Sequence, residues 1–90
     1  MKSIIQVDKM NCFLCDRFTE LDEHHVFNGA GYRHKSEQDG MKVYLCRECH
    51  RKVHENYKKR LELKKMAQRV WEKTYGDREE FRERYGKSYL

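Results

Sequence analysis

Ninety residues with 38% hydrophobic and 39% charged side chains describe one small domain, residues 1–90, with a thin core under a solvated surface. Such a chain does not rest on apolar burial alone, so a metal staple for its four cysteines is physically welcome. The net charge of +5 sits wholly in the C-terminal part: residues 1–50 carry seven Lys/Arg against eight Asp/Glu, and residues 51–90 carry thirteen against seven.

Residues 2–7 form a β-branched run expected to make an N-terminal strand within residues 1–10. Its apolar part, Ile4-Ile5-Gln6-Val7, is far shorter than an export or membrane segment, so the expectation is no membrane association and a cytoplasmic chain with reduced thiols. Cys12-Phe13-Leu14-Cys15 makes a turn that points two sulfurs at one metal, and Phe18 and Leu21 are expected to pack behind it. A strand is predicted over residues 24–27, closed by the Asn28-Gly29-Ala30-Gly31 turn. Residues 32–40 show no periodicity and read as a polar loop. A second strand over residues 41–45 should turn Val43 and Leu45 one way and Lys42 and Tyr44 the other.

Cys46-Arg47-Glu48-Cys49 supplies the second half of a four-cysteine structural zinc site, and His50 follows it directly. With a helix starting near Cys49, His50 and His54 stand one turn apart on one face and can bind a second metal together. The paired His24-His25 lies between the two knuckles. The Cys46 to His50 run also matches the haem-attachment signature CxxCH, which is set aside because attachment accompanies export. Beyond it, Val53, Tyr57, Leu61, Ala67, Val70, Trp71 and Tyr75 predict one apolar stripe on a single helix over residues 50–75, stopped by Gly76. Asp77 and Glu80 predict a capping box for a short last helix with Phe81 and Tyr85 one turn apart and Gly86 as its C-terminal cap. Lys58, Lys59, Lys64 and Lys65 are expected to give the long helix a cationic side suited to phosphate backbones.

CxxC, then His-His, then CxxCHxxxH over residues 11–57 resembles the zinc-knuckle branch of the HNH endonuclease family, which is widespread in phage and prophage genomes. The resemblance implies a small α+β fold: a ββα-metal, treble-clef-like core over 11–57 with a structural zinc, followed by a basic helical extension over 58–90. It implies a phage- or prophage-encoded hydrolase cutting DNA phosphodiester bonds. By it His24 is a ligand of the catalytic metal and His25 the general base, with His50 and His54 completing the ligand set. The family often places an asparagine before the second knuckle to help hold the base; residues 30–45 contain none, so the task falls to Asn28, Ser36 or Asp39. Three imidazoles suit Zn²⁺, Ni²⁺, Co²⁺ or Mn²⁺ better than Mg²⁺. Arg33, Lys35 and Arg51 are the expected grips on duplex DNA. A second expectation from another class is a non-catalytic zinc module of the same fold that binds nucleic acid or a phage or host protein, such as an inhibitor of host defence.

Overall fold

The computed structural model describes residues 1–8, 10–29 and 31–90. Two strands, β1 (Leu21–His25) and β2 (Lys42–Cys46), pair antiparallel with Leu21 opposite Cys46 and His25 opposite Lys42. Four helices complete the α+β arrangement: α1 (Tyr32–Asp39) between the strands, α2 (Arg47–Glu55) directly after β2, then α3 (Tyr57–Thr74) and α4 (Arg78–Tyr85). None of them is long and apolar enough to cross a membrane.

Residues 1–8 contain no strand, contrary to the β-branched pattern. The Ser3 hydroxyl donates to the Lys42 carbonyl at 2.5 Å and accepts from the Ile5 and Gln6 amides, at 3.1 and 2.9 Å. This local bonding offers the backbone a turn in place of a ladder. The segment still covers β2, because Gln6 Oε1 accepts from the Tyr44 amide at 2.8 Å. Gly40 permits the close approach: its φ is 72°, and a Cβ there would meet the Lys2 carbonyl oxygen at 2.7 Å.

The stretch 32–40, expected as a loop, is helix α1. Its buried positions are Ser36 and Asp39, so no apolar period marks it. Ser36 Oγ donates to the Phe27 carbonyl at 2.6 Å and accepts from the Phe27 amide at 3.0 Å, tying α1 to the end of β1. Asp39 accepts from Trp71 Nε1 (2.9 Å), Tyr85 Oη (2.7 Å) and Arg84 (2.6 and 2.8 Å), which docks α3 and α4 on α1.

In place of one helix over 50–75, the chain breaks at Asn56, whose φ and ψ are −120° and 107°. Its side chain restarts the helix by accepting from the Lys59 amide at 3.2 Å. The break changes the phase of the stripe: Val53, Leu63, Ala67 and Trp71 are buried, while Tyr57 is 65% exposed and Leu61 and Val70 only half-buried. Phe18, expected to pack, is 77% exposed. Lys42 and Tyr44, expected on the other face from Val43 and Leu45, are buried as those two are, because α1 and the N-terminal segment cover that face of β2. The core runs from Val26, Met41, Val43 and Leu45 through Val53 to Trp71, Phe81 and Tyr85. Phe27 closes it, 4.5 Å from the Tyr85 ring and 5.3 Å from Phe81. The Asp77 capping box and the Gly86 cap stand as expected.

Candidate metal centre

The four cysteines converge from three places: the turn after residue 11, the end of β2 and the first turn of α2. Cys46 has two duties, since its sulfur also caps α2 by accepting from the Cys49 amide at 3.4 Å. The Cys12 carbonyl closes the first knuckle by accepting from the Asp16 amide at 2.8 Å, with Asp16 at a φ of 64°. All four sulfurs lie within 4.8 Å of one another. Cys15 and Cys46 sulfurs are 3.7 Å apart, close to the edge of about 3.8 Å that a tetrahedron with Zn–S of about 2.3 Å requires.

The electrostatics favour a cation at the centre. Burial pushes Cys49 up to about 12, helped by the neighbouring sulfurs of Cys46, Cys12 and Cys15. Burial also opposes the charge on Cys12, yet backbone hydrogen bonds from Cys46, Cys15 and Leu14 outweigh it and bring that thiol down to about 6. Thiolates so crowded repel, and a divalent ion offsets the repulsion. The donor set therefore fits a structural metal such as zinc.

A second cluster is built by β1 and α2. His24, His50 and His54 bring their ligand nitrogens within 4.8 Å of one another, with His24 buried, His50 intermediate and His54 exposed. His50 and His54 Nε2 atoms are 3.1 Å apart. That spacing suits a shared N–H···N hydrogen bond, and it is also near the edge of about 3.3 Å for two imidazoles on one tetrahedral ion. His50 Nδ1 lies 3.2 Å from Asp22 Oδ2, which leaves Nε2 to face the cluster. Burial, then the neighbouring His50, His54, His25 and Lys64, drives His24 down to about 4. His24 is thus neutral at pH 7, as a metal ligand must be.

Strand alternation sends His25 to the opposite face. There its Nε2 is 2.8 Å from Glu37 Oε1 and 3.4 Å from Glu23 Oε1. Glu23, His24, His25, Asn28, Arg33, His50 and His54 border one open cleft of about 320 Å³. Of the three stand-ins for the asparagine, Asn28 is the one that touches His25, donating from Nδ2 to its carbonyl at 3.3 Å. Ser36 holds Phe27 and Asp39 holds the C-terminal helices.

The cations expected to hold DNA do not share a face. Arg33 borders the cleft. Lys35 instead donates to the Arg84 carbonyl at 2.8 Å and covers the Tyr32 ring. Arg51 is exposed on α2. At about 100° per residue, the four lysines of α3 spread around the helix. Lys58 and Lys65 point one way, Lys59 flanks the first knuckle beside Phe13 and Leu14, and Lys64 lies toward His24 with Arg60 and Lys87 near it. Sequence reading missed Asp22, Glu23 and Glu37. The first two were legible from alternation, since Asp22 shares a strand face with His24 and Glu23 with His25. Glu37 gave no signal because its helix gave none.

A sequence profile for a family described as an uncharacterized protein conserved in bacteria (DUF2197) matches residues 8–67, the segment that carries all four cysteines and the three histidines of the two clusters, and His25 with them. No curated protein and no solved structure matches the chain.

Proposed function

The chain belongs to that bacterial family, and from the two clusters its matched segment builds we propose that it is a metal-dependent endonuclease of the HNH type. In this reading the hairpin of β1 and β2 with α2 is a ββα-metal core, stapled by zinc on Cys12, Cys15, Cys46 and Cys49. One observation carries the reading: adjacent residues His24 and His25 point to opposite faces of β1, yet both border the same cleft, and only His24 joins His50 and His54.

Those three residues would hold the second ion, Zn²⁺, Ni²⁺, Co²⁺ or Mn²⁺ by their chemistry. Such an ion would supply charge stabilisation to the phosphate and the departing 3′ oxygen. The protein's own contribution is to keep His24 neutral, aim His50 through Asp22, and offer His25 as the acceptor of a proton from water. Arg33 at the cleft, and Lys64, whose charge acts on His24, would grip phosphates. The deciding experiment is cleavage of supercoiled plasmid with Mn²⁺, Ni²⁺, Co²⁺, Zn²⁺ or Mg²⁺, with a chelator control. Cleavage by wild type but not by His25→Ala supports the reading; no cleavage with any metal ends it.

A second reading, a zinc module of this fold that binds a phage or host protein without catalysis, draws on a different observation. Phe13, Leu14, Leu63 and Met66 line a groove of about 370 Å³ beside the zinc knuckle, remote from His25. Failure of cleavage together with loss of a protein partner on Leu14→Glu would favour it.

A further inference from the structure

The apolar stripe expected along residues 50–75 included Tyr57, but the break at Asn56 leaves this ring 65% exposed at the start of α3, just after the helix that carries His50 and His54. Steps of three and four residues place Tyr57, Arg60 and Lys64 on one side of α3. That side is tied to the end of α2: Arg60 Nη1 donates to the Val53 carbonyl at 3.2 Å and also to the His54 carbonyl. The Arg60 guanidinium carbon stands 5.9 Å from the centre of the Tyr57 ring.

The same side continues into the segment after α4. Lys64 Nζ and Lys87 Nζ each lie 5.2 Å from the centre of the Tyr89 ring, so two ammonium groups from distant parts of the chain meet at one phenol. Neither forms an ion pair among the described residues. Burial, then the Arg60 and Lys87 charges, pushes the Lys64 ammonium down. Cations gathered in this way repel one another, and an anion laid across them relieves the repulsion. From Tyr57 to Lys64 the helix rises about 10 Å, roughly the rise of three stacked nucleotides. A row of cations beside an open aromatic ring suits an unpaired strand, whose phosphates meet the charges while a base face meets the ring. In a duplex those base faces are covered by their neighbours in the stack.

We propose that Tyr57, Arg60, Lys64 and Lys87 form a track for an unpaired DNA strand, with one base stacked on Tyr57 and successive phosphates on the three cations. The choice of DNA, and the delivery of the strand to His24 and His25, rest on the nuclease reading. Arg60 sets the start of the track, because its bonds to the end of α2 fix the Tyr57 ring next to the helix of His50 and His54. The substrate class that follows is DNA with an unpaired stretch, such as a bubble, flap or gap, in preference to an intact duplex.

The test measures binding apart from cleavage, on the whole chain as purified and without added divalent metal. By fluorescence anisotropy, wild type should hold a labelled oligo-dT strand of about twelve nucleotides about tenfold more tightly than a duplex of equal length. Replacing the bases of the strand by abasic sugars should remove the difference. Tyr57→Ala should weaken strand binding about 5- to 100-fold and leave duplex binding unchanged, whereas Tyr57→Phe, which keeps the ring, should match wild type. Lys87→Ala should weaken strand binding and flatten its salt dependence. Tyr57 and Lys87 are exposed, so neither substitution opens the core. Equal binding of strand and duplex by wild type, a tighter hold on duplex, or strand binding untouched by Tyr57→Ala overturns the proposal. If a bubble-containing duplex is not cut with Mn²⁺ while the strand preference and its dependence on Tyr57 hold, the nuclease reading ends and the track stands; cleavage without strand preference does the reverse.

Discussion

Replacing Asp39 with alanine removes the acceptor on which α1, α3 and α4 converge. Asp39 is 8% exposed and receives hydrogen bonds from Trp71 Nε1, Tyr85 Oη and the Arg84 guanidinium. Without it the Trp71 N–H and the Tyr85 O–H, on residues 5% and 1% exposed, are left buried without that partner. Each such orphan costs about 1–3 kcal/mol. Arg84 is 31% exposed on its side chain, so water takes over part of its solvation and its loss adds under about 1 kcal/mol. The expected cost is about 2–7 kcal/mol, a large part of the roughly 5–13 kcal/mol typical of a chain this long. Urea unfolding should show a lower midpoint with an unchanged slope. Zinc content should be unchanged, and so should plasmid cleavage in the cold, because Asp39 touches neither cysteine knuckle nor His25. A loss below about 1 kcal/mol would refute the accounting. A tenfold loss of cleavage at intact stability would return Asp39 to the task of helping to hold His25, for which the resemblance made it one of three candidates.

Cys46→Ser should abolish both zinc binding and cooperative unfolding, because one sulfur serves the knuckle and the start of α2; a variant with bound zinc and a wild-type melt would contradict this. His24→Ala and His50→Ala should weaken metal affinity in calorimetric titration, with cleavage partly restored at high metal, whereas His25→Ala should keep the metal and lose about 10²–10⁴-fold in rate; the opposite pattern would exchange the roles of His24 and His25. His24 titrates near 4 when folded and near 6.5 when unfolded, so in that window the unfolded chain alone binds the proton. Stability should therefore fall as pH drops from about 6.5 to 4, by up to about 3 kcal/mol from this residue, and His24→Gln should flatten the slope in paired urea titrations. Lys64→Glu should weaken duplex binding more than Lys58→Glu, since of the two Lys64 is the one whose charge acts on His24; equal effects by fluorescence anisotropy would assign DNA to the outer face of α3.

What the sequence determined by itself is what local chemistry controls. Cysteines separated by two residues, twice, predict a four-sulfur cluster in any fold that lets the turns meet, and β2 followed at once by α2 lets them meet. Side-chain alternation on a strand and a four-residue step on a helix were enough to say that only one of His24 and His25 joins His50 and His54; the resemblance picked His24, and it is His24 that lies with them. The capping box at Asp77 is likewise a matter of neighbours. Tertiary structure decided whatever depends on which surface comes to lie opposite. Helix α1 buries Ser36 and Asp39, whose polar groups find partners on Phe27, Trp71, Tyr85 and Arg84, so its inward face carries no hydrophobic signal. Lys42 is buried because Glu37 and Glu23 meet it there, and a lone lysine in a strand pattern reads as solvent-facing. The break at Asn56 turned two helices out of one apparent stripe, and the core chose Leu63 over Tyr57. The partner of His25 belongs to the same class: Glu37 reaches the ring from a separate element twelve residues on, a distance that only the packed chain closes.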